Sequence, residues 1–255
     1  MTGIRGTIRA VFFDLGSTLI HFTGSWAEVL PASNRALGAA LLESGLRLDL
    51  PVFQAEFSRR MEAYFARRED DCLEYTTESV LRRLLEDHGY PDVPATVLQA
   101  ALARMYAVSQ AHWQPEQDAL PTLKKLTGAG YRIGLISNAS DAADVHALID
   151  KAQLRPWLEA IVISAEVGLR KPSPRIYEIA LNALDMLPAQ TVMVGDTLSA
   201  DVAGAHAAGL RAVWIARRVD TPENHALADQ LQPDAILARL DELPPLLERW
   251  NATPA

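Results

Sequence analysis

The 255-residue chain has a single cysteine, Cys72, so no internal disulfide can form, and that fits a reducing compartment. Long apolar runs are missing: none approaches the ~18 uncharged residues of a membrane span. The start of the chain, MTGIRGTIRAVFFDLG, carries no apolar block followed by a small-residue cleavage site. These absences point to a soluble, cytoplasmic protein. Positive charge is in deficit, with 24 Lys and Arg against 32 Asp and Glu, for a net charge of -8. Nucleic acid and anionic membranes are therefore poor partners, because both require a basic face. Low-complexity tracts and internal repeats are also absent. What remains is ordinary globular usage, 49% hydrophobic and 22% charged, in a chain long enough for one or two domains with a core of their own.

Short apolar, β-branched or aromatic runs occupy residues 8–13, 131–136, 160–163, 191–194 and 211–215, with a weaker one at 235–237. Runs of this kind suit strands buried on both faces of a parallel sheet. Helical patterns lie between them at residues 117–126, 140–151, 174–184 and 199–208; Ser140 is expected to cap the second, and Gly209 to follow the last. The alternation predicts an α/β fold, a Rossmann-like doubly wound parallel sheet.

One interval breaks the rhythm. Asp14 and Ser137 are 123 residues apart, whereas Ser137 to Lys171 is 34 and Lys171 to Asp196 is 25. A strand–helix–strand unit needs only roughly 30 residues, so about 90 are inserted after the first strand. The insert shows helical spacing at 27–42, 52–67, 78–87 and 95–111, punctuated by Pro51, Gly89, Pro91 and Pro94. The expected domains are a core of residues 1–20 and 115–255 and an all-helical cap of residues 21–114.

Asp14, Ser137 and Asp196 each follow directly on an apolar strand. In open α/β sheets ligands bind outside the carboxyl ends of strands, so these residues should share one crevice, with Lys171 reaching it from the loop after the third strand. Asp14 and Asp196 repel one another unless cations lie between them. Lys171 is one cation and a divalent ion such as Mg²⁺, which prefers oxygen ligands, is another. With the Ser137 hydroxyl and the Asn138 backbone N–H, the set suits a phosphoryl group.

The segments Phe13-Asp-Leu-Gly-Ser-Thr-Leu19, Leu135-Ile-Ser-Asn138, Lys171-Pro-Ser-Pro-Arg-Ile-Tyr177 and Gly195-Asp-Thr-Leu-Ser-Ala-Asp201, running on through Gly204-Ala205, resemble the haloacid dehalogenase superfamily, in the subgroup with a helical cap after the first strand. The resemblance implies that Asp14 is a nucleophile forming an aspartyl-phosphate, and that Ser137 and Asn138 hold phosphate oxygens. Lys171 would neutralise charge. Asp14, Asp196 and the backbone carbonyl of Gly16 would bind Mg²⁺, and Asp201 would lie behind them, orienting Lys171 or a metal-bound water. The implied activity is a Mg²⁺-dependent phosphatase acting on a small phosphorylated metabolite, as a monomer or a homodimer.

The departure is at residue 16, where most phosphatase relatives carry a second aspartate that protonates the leaving group. With Gly16 there, good leaving groups should be favoured: sugar 1-phosphates, acyl phosphates and aryl phosphates. His21, whose unperturbed pKa is near ~6.5, reads first as a polar linker residue and is the candidate replacement; Ser17 is a weaker candidate. The alternatives are a metal-independent dehalogenase, whose relatives lack the aspartate at position 196, and a binding protein that has lost turnover. A sugar-phosphate mutase would need the missing acid. The pairs Arg59-Arg60, Arg67-Arg68 and Arg82-Arg83 are expected on a solvated face, with a crevice-facing arginine as the alternative. Trp26, Tyr64, Phe65 and Trp113 are expected in the core of the insert.

Overall fold

The run Ala-Val-Phe-Phe has no polar position and is buried at all four, as a strand covered on both faces must be. It is β1 (Ala10–Phe13) of a computed structural model that describes residues 7–67 and 72–252. The chain continues through β2 (Ile20–Phe22) into four helices, α1 (Trp26–Glu43), α2 (Leu50–Arg67), α3 (Thr77–Asp87) and α4 (Ala95–Gln110), and returns through β3 (Trp113–Pro115). There follow α5 (Ala119–Gly128), β4 (Arg132–Ser137), α6 (Ala142–Lys151), β5 (Ala160–Ile163), α7 (Ser164–Val167), α8 (Pro174–Ala183), β6 (Thr191–Gly195), α9 (Ala203–Ala207), β7 (Arg211–Ile215), α10 (Pro222–Leu231), β8 (Ala235–Leu237) and α11 (Leu243–Ala252).

Among the described residues the main sheet is parallel throughout, in the order β5-β4-β1-β6-β7-β8. Successive side chains leave a strand on opposite faces. Val11, Phe13, Leu135, Val192 and Val194 accordingly join one apolar layer with α5, α6 and α11, while Phe12, Ile136, Met193 and Trp214 join the other with α8 and α9. This is the doubly wound α/β architecture expected. The four inserted helices bury a separate cluster built on Leu37, Leu41, Phe53, Phe57, Leu81, Leu84 and Leu98.

The chain enters and leaves these helices through a two-stranded antiparallel ribbon, β2 with β3, in which His21 faces Gln114 and Phe22 faces Trp113. The three-residue strands are too short for a periodicity signal, and so the sequence pattern does not reveal them. A second seam joins helical insert and sheet: Leu73 bridges Leu169, and the Arg170 N–H donates to the Cys72 carbonyl at 2.9 Å. Beside it the nearly buried Arg170 guanidinium pairs with Glu74, whose carboxylate also accepts from the Tyr64 and Ser164 hydroxyls.

Two expected helices differ in their starts. Asp141, not Ser140, caps α6: its carboxylate accepts from the Asp144 N–H at 2.8 Å, filling an otherwise unsatisfied donor of the first turn. The Ser140 hydroxyl is engaged instead by Thr77 of the insert at 2.9 Å. The helix expected over 199–208 is interrupted. Residues Leu198–Val202 form a π-helical turn, closed by the Ala203 N–H donating to the Leu198 carbonyl, before five α-helical residues follow.

Candidate active site

The sheet order reverses at β1 and β6: the chain runs from β1 outward through β4 and β5, then crosses to β6 and runs outward through β7 and β8. A crevice opens at the carboxyl ends of strands at such a point. Asp14 ends β1 and Asp196 ends β6, and the two strands pair in register, Phe13 opposite Val194. The Asp14 N–H donates to the Val194 carbonyl at 2.9 Å, and the Trp214 indole N–H donates to the Asp196 carbonyl at 2.9 Å, so both backbones are fixed. Ser137, at the end of β4, lines the same crevice and is buried.

Lys171 crosses from the loop after α7. Its ammonium lies 2.7 Å from Asp14 Oδ1 and 2.6 Å from Asp201 Oδ1, with only 2% of the side chain exposed. Burial alone depresses an ammonium, but the Asp14 and Asp201 carboxylates outweigh it and hold the Lys171 pKa above the ordinary lysine value. Asn138 fixes the loop rather than only offering its backbone: its amide donates to the Lys171 carbonyl at 2.9 Å and accepts from the Lys171 N–H at 2.8 Å. The π-turn brings Asp201 inward. Its second oxygen accepts from the Thr197 N–H at 2.9 Å, and Gly195 leaves room for it, since a Cβ there would meet Asp201 Oδ2 at 2.2 Å. Asp201 is thus held between the Lys171 ammonium and the Thr197 N–H.

Asp14, Asp196 and Asp201 each offer an oxygen within 4.8 Å of the others. One ammonium cannot neutralise three carboxylates, and burial and the surplus charge appear in the titration of Asp14 and Asp196. Burial pushes the Asp14 carboxyl up to about 6, against the pull of Lys171 and with a push from Asp201. Burial, then Asp14 and Asp201, push Asp196 up to about 7. An all-oxygen anionic cluster of this kind matches the donor preference of a hard divalent cation.

A measurable consequence concerns the metal-free protein. Because the folded Asp196 carboxyl titrates near 7 and the unfolded one near 3.8, the folded state holds a proton through that window that the unfolded chain has released. The destabilisation contributed by Asp196 is therefore absent below about pH 4 and grows as pH rises towards 7. Asp196→Asn removes the buried charge and its repulsion from Asp14 and Asp201. In EDTA at pH 8 the variant is expected to be more stable than the wild type by about 2 kcal/mol, or roughly 4–8 °C in Tm, with the gap closing by about pH 4. Thermal unfolding in EDTA at the two pH values measures it; a variant less stable at pH 8 contradicts the account.

The crevice encloses about 1160 Å³ between the sheet and the inserted helices. Gly16 and Ser17 line it, but His21 does not; its ring Nδ1 lies 3.3 Å from Glu116, one residue beyond β3. The strand direction at residue 21 turns the imidazole away from the crevice, so a replacement acid at His21 is not brought to the site. Among the described residues, no doubled arginine of the insert lines it either. Arg59 and Arg60 pair with Glu56, and Arg82 with Glu78; Arg68 lies outside the described residues. Trp26, Phe65 and Trp113 line the crevice instead of filling the insert's core, whereas Tyr64 is buried against Glu74. Asp144 also faces the crevice and escapes sequence reasoning, as one more acidic residue in a helical first turn. Burial pushes it up to about 7 against the hydrogen bond from Gln110 at 2.9 Å, with Asp141 adding to the rise.

Comparison with known proteins returns a consistent picture. A family model described as haloacid dehalogenase-like hydrolase matches residues 8–209. The glyceraldehyde 3-phosphate phosphatase of Pyrococcus furiosus is 27% identical over 247 residues, covering 96% of this chain and 95% of that one. The (S)-2-haloacid dehalogenase 1 of Pseudomonas sp. strain CBS-3 is 31% identical over 242 residues, 95% of this chain and 97% of its own. Among solved structures, the 2-haloacid dehalogenase of Pseudomonas syringae pv. Tomato DC3000 superposes with a TM-score of 0.66 at 26% identity, covering 95% of this chain and 99% of that one.

Proposed function

Because the chain belongs to the haloacid dehalogenase-like hydrolase family, we propose that it is a phosphatase that hydrolyses a small phosphorylated metabolite through an aspartyl-phosphate on Asp14. The observation that carries this reading is the convergence of Asp14, Asp196 and Asp201, with oxygens within 4.8 Å, around a single buried lysine. The resemblance separates dehalogenases by the lack of an aspartate at position 196, and here Asp196 is present. The names of relatives such as the Pyrococcus phosphatase support a phosphomonoester substrate.

In this reading Asp14, Asp196 and the Gly16 backbone carbonyl hold a magnesium ion, which when bound offsets negative charge on the phosphate. The Ser137 hydroxyl and the Asn138 N–H bind phosphate oxygens. Lys171, kept protonated by Asp14 and Asp201, holds the Asp14 carboxylate facing the phosphorus and neutralises the phosphate as the reaction proceeds. An Asp14 oxygen attacks phosphorus, the bond to the leaving oxygen breaks, and the alkoxide or phenoxide takes its proton from water. A water molecule then attacks the phosphorus of the aspartyl-phosphate, the P–O(Asp14) bond breaks, and inorganic phosphate leaves. Residues 21–114 act as a cap that restricts water at the crevice, with residues 1–20 and 115–255 as the catalytic core.

Gly16 sets the substrate preference. No carboxyl stands at residue 16 to protonate the leaving oxygen, and His21 is turned away. Activity should therefore fall steeply as the leaving-group pKa rises, by about 10²–10⁴ between aryl or acyl phosphates and simple alkyl phosphates. A panel of phosphate esters assayed with Mg²⁺ and with EDTA tests this, with Gly16→Asp expected to raise alkyl phosphate turnover. A flat dependence on the leaving group contradicts the role given to Gly16. The 31% identity to a dehalogenase favours a second reading, halide release from a 2-haloacid, and activity on such acids that survives EDTA would establish it in place of the first.

A further inference from the structure

We propose that the leaving group is aromatic: the crevice is built to take an aryl phosphate, the phosphate at the carboxylate end and the ring against a wall of indoles and apolar cap side chains. The proposal rests on the phosphatase reading and narrows its substrate class.

The wall begins where the missing acid would stand. A Cβ built on Gly16 would lie 3.5 Å from Cη2 and 3.8 Å from Cζ3 of Trp113. The indole thus lies in ordinary van der Waals contact with the position a side chain at residue 16 would take. What neighbours the leaving oxygen there is a ring, not a proton donor. Trp113 is held in place by β3, and its ring lies 6.3 Å from that of Trp26 at 66°. Trp26 is in turn stacked on Phe22, with centroids 3.8 Å apart and planes 5° from parallel. These contacts leave the wall little rotational freedom, so little ordering entropy opposes ligand binding.

The inserted helices extend the surface. Trp26 and Leu30 are four residues apart on α1, and Met61 and Phe65 four apart on α2, so each pair presents one helix face. All four line the crevice. Trp26, Leu30 and Phe65 are 46%, 50% and 43% exposed, a large unburied apolar area concentrated at one site. Large apolar side chains clustered in a concave, partly open site mark a surface that is covered in use. A polyol phosphate would have to find its partners among the polar lining residues such as Asn34, Gln54 and Ser58 and would leave this wall wet, whereas a flat ring meets it in offset or edge-to-face contact. The two features agree: phenoxides depart without a general acid, and a ring stands beside the residue that lacks one.

Binding separates recognition from leaving-group reactivity. With Mg²⁺ present, isothermal titration of the intact protein with 1-naphthylmethylphosphonate and with methylphosphonate compares one headgroup with and without a ring. The aromatic phosphonate is expected to bind about 30-fold more tightly, the gain from burying one aromatic group. Trp26→Ala and, independently, Phe65→Ala on the other helix should each cut that ratio about tenfold. Equal affinities overturn the aromatic assignment and leave the phosphatase reading standing. If neither phosphonate binds and no phosphate ester is hydrolysed, the phosphatase reading fails, and the aromatic substrate with it.

Discussion

Asp14→Asn is expected to reduce kcat on the best phosphate ester by at least about 10⁴-fold, the scale of losing a covalent nucleophile. An amide cannot attack phosphorus as a carboxylate does, and no other carboxylate replaces it. Asp201 is turned to the Lys171 ammonium and the Thr197 N–H, and Asp196 starts from the neighbouring strand end. The fold should survive the change. Asn keeps the shape, the Asp14 N–H remains bonded to Val194, and Lys171 retains Asp201 as its counter-charge. Loss of turnover with an unfolding midpoint in EDTA no lower than that of the wild type is therefore the expected pair of results, and mass spectrometry of a quenched reaction should find phosphorylated wild type but no phosphorylated variant. Substantial turnover by Asp14→Asn would remove the nucleophile from the scheme.

Lys171→Met should damage both stability and activity, and the two losses can be separated. In the wild type the ammonium sits between two buried carboxylates, at 2.7 and 2.6 Å. Replacing it by an apolar side chain leaves both without a cation, and stripping one partner from a buried ionic cluster typically costs about 3–5 kcal/mol. The loss should be largest near neutral pH in EDTA. The penalty should shrink as pH falls and the Asp14 carboxyl takes up a proton, because the cost belongs to the ionised form. Adding Asp201→Asn to Lys171→Met removes one of the stranded charges and should restore much of the stability. It should not restore turnover, since the charge opposite the phosphate is still missing. Urea unfolding and steady-state assays on the single and double variants measure both; a double variant no more stable than the single one would show that the cluster is not what Lys171 supports.

Much of this site could be read in the sequence, for a physical reason. Asp14, Ser137 and Asp196 each stand one position beyond or at the end of a short apolar strand, and parallel pairing in register brings strand ends together without further information. The doubly wound order and the helical insert followed from spacing and periodicity in the same way. What stayed hidden depends on direction and on short elements. The β2–β3 ribbon is too brief to signal itself, yet it decides that His21 turns toward Glu116 and Trp113 toward Gly16. Trp26 and Phe65 carry the same apolar character whether they fill a core or line a crevice, and only the packing of α1 and α2 tells which. The side-chain clamp of Asn138 on Lys171 spans 33 residues and leaves no local mark. Ser140 had the chemistry of a cap, but Asp141 stands one residue closer to the helix and took the place.

The π-turn at Leu198–Val202 makes Asp201 sensitive to chain length as well as to composition. Each residue of an ordinary helix advances the azimuth by about 100°. Deleting a single residue between Thr197 and Asp201 would let the turn relax to α-helical winding and would swing the carboxylate out of reach of Lys171, with every side chain of the site still encoded. Lineages that gain or lose one codon in this loop could thus exchange a lysine tethered on both sides for one tethered on a single side, altering the electrostatics of the crevice without any amino-acid replacement.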